Sequence, residues 1–184
     1  GAAFEKVDVA LRVVVDELEH SMREGGIRPG RANEFIGRQQ QYVPEIDAIR
    51  VANAAGTVIL GPGTGAGTSA SYADRDFFAI HKANPDAGLI VTRPILGRVS
   101  KKWVISLNRR LNAPDGSFAG IVSATISLDR LQETLSHFNL GPNGLLTIRD
   151  LDLAFVVRYP AELRGQTVEV GSRLVFNVTL PALL

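Results

Sequence analysis

Ser71-Tyr-Ala-Asp-Arg-Asp-Phe-Phe-Ala-Ile-His81, Gly88-Leu-Ile-Val-Thr-Arg-Pro-Ile-Leu96, Trp103-Val-Ile-Ser-Leu-Asn-Arg-Arg-Leu111 and Phe118-Ala-Gly-Ile-Val-Ser-Ala-Thr-Ile-Ser-Leu128 are the segments that decide the fold. The first reads as a short helix capped by Ser71, with Asp74 three residues on to complement the free amides and the helix dipole. The second is an extended run. The last two alternate apolar and polar residues around Asp115-Gly116, a dipeptide suited to a tight turn, so they read as a β-hairpin. On its first strand Trp103, Ile105, Leu107 and Arg109 share one face, and Val104, Ser106, Asn108 and Arg110 the other. One face belongs to a core and the other meets solvent or a ligand, but both carry polar residues near the turn.

Upstream, Phe4, Val7, Leu11, Val14, Leu18 and Met22 recur at steps of three and four, one apolar stripe on a long helix that Gly25-Gly26 ends. Val13 and Val15 widen that stripe, so the helix suits packing on its own sheet, a dimer interface, or both. Pro29 to Val43 reads as a second helix closed by Pro44. Ile46–Asn53 and Val58–Leu60 read as two strands joined at Ala54-Ala55-Gly56-Thr57. Gly61-Pro-Gly-Thr-Gly-Ala-Gly67 fits a dinucleotide-type glycine pattern, yet Thr68-Ser-Ala-Ser71 follows it where an apolar helix is needed, so a surface loop is expected. Downstream, a helix begins at Asp129 with Leu128, Leu131, Leu135 and Phe138 on one face, and Gly141-Pro-Asn-Gly144 stops it. Leu146, Ile148 and Leu153–Val157 then form a further hairpin about Asp150-Leu-Asp152.

The totals exclude more than they assign. Lys and Arg number 20 against 19 Asp and Glu, so no net field draws nucleic acid or an anionic membrane. The absence of cysteine excludes disulfides, thiolate nucleophiles and cysteine-based metal sites. No apolar run reaches the roughly eighteen residues of a membrane span, and with Gly1-Ala2-Ala3 at its start the chain reads as an excised piece of a larger protein. The three histidines lie on different elements without metal-ligand spacing, no serine sits in a nucleophile elbow, and Asp74 and Asp76 point apart on a helix. Neither catalysis, a metal nor a cofactor is expected.

The order Arg75-Asp-Phe-Phe78, then Thr92-Arg-Pro94, then Gly116-Ser-Phe118-Ala-Gly120 before a last strand resembles the extracytoplasmic Cache sensor domains of bacterial receptors, which are PAS-like ligand-binding modules. The resemblance runs from the first helix to about Pro160. It implies an α+β fold in which a long N-terminal helix packs on a PAS-like antiparallel sheet, followed by an incomplete second PAS-like module. The implied organisation is a signalling helix over 1–26, a membrane-distal module with the ligand pocket over 27–140, and the start of a membrane-proximal module over 141–184. It further implies a periplasmic location, membrane contact only through flanking segments, and a homodimer through the first helix. Leu140-Gly-Pro-Asn-Gly144 with Arg158-Tyr-Pro160 resembles the subgroup attached to diguanylate cyclases, with kinase and chemoreceptor outputs as the other possibilities.

A small anion in a cavity is best met by arginine, whose planar fork pairs with a carboxylate, and apolar or aromatic walls supply the remaining contact. The candidate ligand-binding residues are Arg75, Phe78, His81, Arg93, Trp103, Ser106 and Thr125, with Lys101, Lys102 and Arg109 as further cations. Amino-acid-binding Cache domains carry Arg-x-Trp-Tyr on the pocket helix, which Arg75-Asp-Phe-Phe78 resembles with the arginine kept and both aromatics stripped of their polar edges. Those domains place an aspartate for the ligand ammonium at the position matched by Thr125. An amino acid would therefore lack its counter-charge, and the expected ligand is a small organic acid. The alternative is a ligand-free dimerisation and spacer module.

Overall fold

A computed structural model describes residues 2–65, 69–137, 146–149, 155–159, 162–163 and 166–167. The helical stripe of the first segment forms as its spacing dictates: on α1 (Ala2–Arg23), Val7, Leu11, Val14 and Leu18 are all buried. Gly25 and Gly26, both at positive φ, end it, a conformation open to glycine at little cost. α2 (Pro29–Tyr42) begins with proline at its first position, where the missing N–H has no helical partner to lose.

A six-stranded antiparallel sheet follows. β1 (Ala48–Asn53), β2 (Val58–Leu60), β3 (Ile90–Val91), β4 (Ile95–Leu96), β5 (Trp103–Asn112) and β6 (Phe118–Ser127) are arranged in the order β2-β1-β6-β5-β3, with β4 also on β5. The register places Ile49 beside Ala124 and Leu107, and Val51 beside Val122 and Arg109. This apolar face lies under α1, which Arg109 reaches through paired hydrogen bonds of 2.5 and 3.0 Å to the Asp8 carboxylate. Farther along α1, one Glu19 carboxylate oxygen accepts from the Asn112 backbone N–H and side-chain amide at 2.8 and 3.2 Å.

The opposite face is different in kind. Arg50 stands beside Ser123 and Asn108, and Ala48 beside Thr125 and Ser106, a polar stripe across three central strands. It is buried all the same, because α3 (Asp76–Ala83) packs on β5 and β6 and the strap from β4 to β5 folds over the rest. A second apolar cluster of Ala52, Val58, Tyr72, Phe77, Phe78 and Ile121 fills that side.

The hairpin read at Asp115-Gly116 is present, with Gly116 at φ +82 and Ala113 and Ser117 closing the turn. Two local expectations are corrected. The helix starts at Asp76 and not at Ser71, because Ser71 forms a β-bridge with Thr57 and its hydroxyl accepts from the Ala73 N–H. The extended run 88–96 is two short strands interrupted at Thr92–Pro94.

The chain divides into two compact units, 1–127 and 128–184. In the second, α4 (Leu128–Ser136) contacts β8, and β7 (Leu146–Arg149) pairs antiparallel with β8 (Phe155–Tyr159) as the sequence suggested. β9 (Glu162–Leu163) and β10 (Gln166–Thr167) make a further small pair. The expected stop at Gly141–Gly144, the turn at Asp150–Asp152 and the tail Val178–Leu184 lie outside the described residues.

Candidate functional site

The polar stripe of the sheet ends in a cavity of about 20 Å³, room for roughly one water-sized group. The sheet supplies its floor through Arg50 of β1, Val104 and Ser106 of β5, and Thr125 of β6. Tyr72, Arg75 and Phe77, from α3 and the turn before it, form one wall. Ile95 and the strap residues Gly97, Arg98, Val99 and Ser100 close it. The strap is tied by Gly97 N–H to the Lys102 carbonyl and Lys101 N–H to the Gly97 carbonyl, with Lys101 at φ +57. Arg98 pins it down, donating to the Ser71 carbonyl at 2.9 Å and to the Asp74 carboxylate at 2.6 Å.

Three arginines therefore line one small space, and among the described residues no carboxylate does. Arg50 is only 7% exposed; its Nε donates to the Pro62 carbonyl at 2.9 Å and the Tyr72 phenol is its other electrostatic neighbour, both of them neutral groups. Burial pulls the Arg50 pKa below its ordinary value and pushes the Tyr72 phenol up, although Arg50 and Arg75 both favour its ionised form. Arg75 donates from Nη2 to the Leu96 carbonyl at 2.7 Å, while its buried Nε meets no acceptor among the described residues. A guanidinium holding spare donors beside a second, desolvated one is what a carboxylate's paired oxygens fit.

Of the residues singled out from sequence, the structure brings Arg75, Ser106 and Thr125 to this cavity. Phe78 lies in the apolar cluster instead, edge-on to Phe118 with ring centres 5.3 Å apart, and Phe77 takes the wall position. Trp103 is 51% exposed and outside the lining, because it sits on the strand face opposite Ser106. Arg93 is exposed and likewise outside it, and Lys101 and Lys102 line no part of it. Arg109 belongs to the α1 contact. Arg50, Tyr72 and Arg98 were missed. The available signal was Arg50 in mid-strand among Ile46, Ala48 and Ala52, a charge where alternation calls for an apolar residue.

His81 is fully buried behind this site. Its Nε2 donates to the Asn108 carbonyl at 3.0 Å, so the neutral ring leaves Nδ1 as a bare acceptor, and no donor meets it among the described residues. Asn108 joins it to the cavity floor: the Ser106 hydroxyl donates to the Asn108 amide oxygen at 3.0 Å and contacts the Ser123 hydroxyl at 2.8 Å. Burial, with lesser help from Arg110 and Arg109, holds the His81 pKa below its ordinary value, opposed by the Asn108 contact. The unfolded chain then binds the proton more readily than the folded one. Stability contributed by neutral His81 is complete above about pH 6.5 and is lost as pH falls below it, by at most about 1.4 kcal/mol per pH unit. Urea unfolding at stepped pH should show this slope, and His81→Gln should flatten it.

Among the described residues no cluster of His, Asp or Glu could hold a metal ion, and no helix is long and apolar enough to cross a membrane. No family model matches the sequence, and no curated protein matches it closely. Solved structures do match. The extracellular domain of rpHK1S-Z16, a protein provisionally assigned as a histidine kinase, superposes with a TM-score of 0.77 at 26% identity, over 94% of this chain and 68% of its own. The ligand-binding domain of the Campylobacter jejuni chemoreceptor Tlp3, in complex with 4-methylisoleucine, gives 0.65 at 14% identity over 90% and 66%. That of the Pseudomonas fluorescens chemoreceptor CtaA, in complex with L-valine, gives 0.61 at 14% over 85% and 67%. The chain thus spans about two thirds of the length of each of these domains, and its α+β fold is theirs.

Proposed function

We propose that this chain is the extracytoplasmic sensing part of a bacterial transmembrane receptor, periplasmic in location, and that it binds a small organic acid in the arginine-lined cavity. The observation that carries this is the lining itself: Arg50, Arg75 and Arg98 with hydroxyl groups and, among the described residues, no carboxylate. The amino acids bound by two of the structural neighbours each bring an ammonium, and a buried ammonium without an anion is unfavourable by several kcal/mol. The cavity is too small for such a ligand with the strap down, so binding goes with lifting of residues 97–102. A cytoplasmic output of the diguanylate cyclase type is supported by the resemblance at Leu140–Gly144 and Arg158–Pro160, while the neighbours come from kinase and chemoreceptor systems.

A thermal-shift screen against mono-, di- and tricarboxylates, amino acids and purines tests the ligand class, because a ligand confined to the folded state raises the melting temperature by mass action. A shift with carboxylates alone is expected. A shift with amino acids alone would overturn the ligand class and leave the fold untouched.

A second reading is favoured by one feature. Val9, Val13 and Tyr42 are exposed along a groove between α1 and α2, an apolar strip that suits a homodimer spacing two output domains. A concentration-dependent dimer with no response to any ligand would favour that role over sensing.

A further inference from the structure

Charge balance in the cavity goes further than one carboxylate. Of its three guanidiniums, Arg98 is opposed by Asp74 at 2.6 Å, which leaves Arg50 and Arg75. Asp74 is itself largely exposed and spent on Arg98, although it also feels Arg75. Arg50 is the more demanding of the two. A cation this deeply buried is ordinarily paired with an anion, yet its partners among the described residues are a backbone carbonyl and a phenol. Its neighbours on the same face are Ala48, Ala52 and, across the strand pair, Ser123, so the sheet offers no counter-charge. Arg50 and Arg75 line the same small cavity, together with Tyr72. Nothing about apolar packing calls for an arginine here; a Met or Leu would fill the space without desolvating a charge.

Resting on the organic-acid reading above, we infer that Arg50 is a second anion anchor and that the site takes a short dicarboxylate, one carboxylate on Arg75 and the other on Arg50. The dianion offsets the charges of Arg50 and Arg75, with Tyr72, Ser106 and Thr125 offering hydroxyls around it. A monocarboxylate leaves one buried guanidinium unmatched. An α-amino acid adds a cation next to it. Inorganic phosphate shares the dianionic chemistry and serves as a separate probe.

Calorimetric titration of the wild type, Arg50→Gln and Arg50→Lys with malonate, succinate, acetate, propionate and phosphate tests this. The wild type is expected to bind malonate or succinate at least about 30-fold more tightly than acetate, the factor typical of one buried charge pair. Arg50→Gln should bring the dicarboxylate down to the level of acetate while leaving acetate within a few-fold of its wild-type value. Arg50→Lys keeps the charge and should keep part of the preference, which guards against a glutamine variant that fails to fold. In the absence of ligand, Arg50→Met should melt above the wild type, as expected for removing an unmatched buried charge. Acetate binding as tightly as succinate, or dicarboxylate affinity unmoved in Arg50→Gln, would overturn the inference and leave the organic-acid reading standing. Phosphate binding with no carboxylate binding would overturn both, since the dianion would then be inorganic. No binding of any carboxylate or phosphate would remove the organic-acid reading and the inference with it.

Discussion

Gly120→Ala is expected to destabilise unit 1–127 by about 3–5 kcal/mol, which lowers the melting temperature of a domain this size by roughly 10–20 °C. Gly120 sits at φ +143 on β6, opposite Asn53 of β1. A Cβ there would lie 1.9 Å from the Ala52 carbonyl oxygen, well inside contact distance. The obstacle is backbone, so no rotamer change relieves it; the β1–β6 ladder must separate at Gly120, whose other neighbour is Leu111 of β5. The unfavourable φ of an L-residue adds to the clash. Gly37→Ala is the control. It lies inside α2 with nothing within 4 Å of its new methyl, and it should leave stability unchanged or raise it by about 0.5–1 kcal/mol. Thermal and urea unfolding of the two variants would decide the matter, and a Gly120→Ala protein melting within a few degrees of the wild type would refute the geometry.

The second large effect is on binding. Arg75→Ala is expected to weaken the affinity for a demonstrated carboxylate by roughly 30-fold to several thousand-fold, the range for removing one partner of a buried, hydrogen-bonded charge pair. The fold should survive, because Arg75 contributes no side-chain cap to α3 and the contact it loses is its bond to the Leu96 carbonyl. That loss is about 1 kcal/mol. Arg75→Lys keeps the charge without the planar fork and should fall between alanine and the wild type. Arg93→Ala, outside the cavity, should change affinity less than about twofold, within the ±0.5 kcal/mol usual for surface sites. Equal binding by Arg75→Ala and wild type in calorimetry would remove Arg75 as the anchor.

Much of the fold was legible because its signals are local. The α1 stripe, Pro29 at the head of α2, and the Asp115-Gly116 hairpin each specify their element from within a few residues, and all three form. The Ser71 misreading is also local in origin. Ser followed at three residues by Asp serves a turn as well as a helix cap, and what decides between them is the bridge from Ser71 to Thr57, set by tertiary structure. The candidate site was legible at Ser106 through strand parity, and at Arg75 and Thr125 through the resemblance. Parity also shows why Trp103 and Ser106 cannot share a wall: they are three apart on one strand and face opposite sides. Arg98 could not be found this way. Its place depends on how the 97–102 strap folds back, through Lys101 at positive φ and a reach of 24 residues to Asp74.

The clamps on α1 have a mechanical consequence. Asp8 and Glu19 are eleven residues apart, about 16 Å along the helix axis, and both hold the same strand, β5. A rod fastened to a beam at two points can neither slide along it nor pivot about one fastening while both hold. Sliding of α1 past the sheet, in the manner of a piston, is therefore blocked while Asp8–Arg109 and Glu19–Asn112 are intact. Any displacement that begins on the cavity side, where Ser106 lies on the other face of β5, moves strand and helix together as one lever arm.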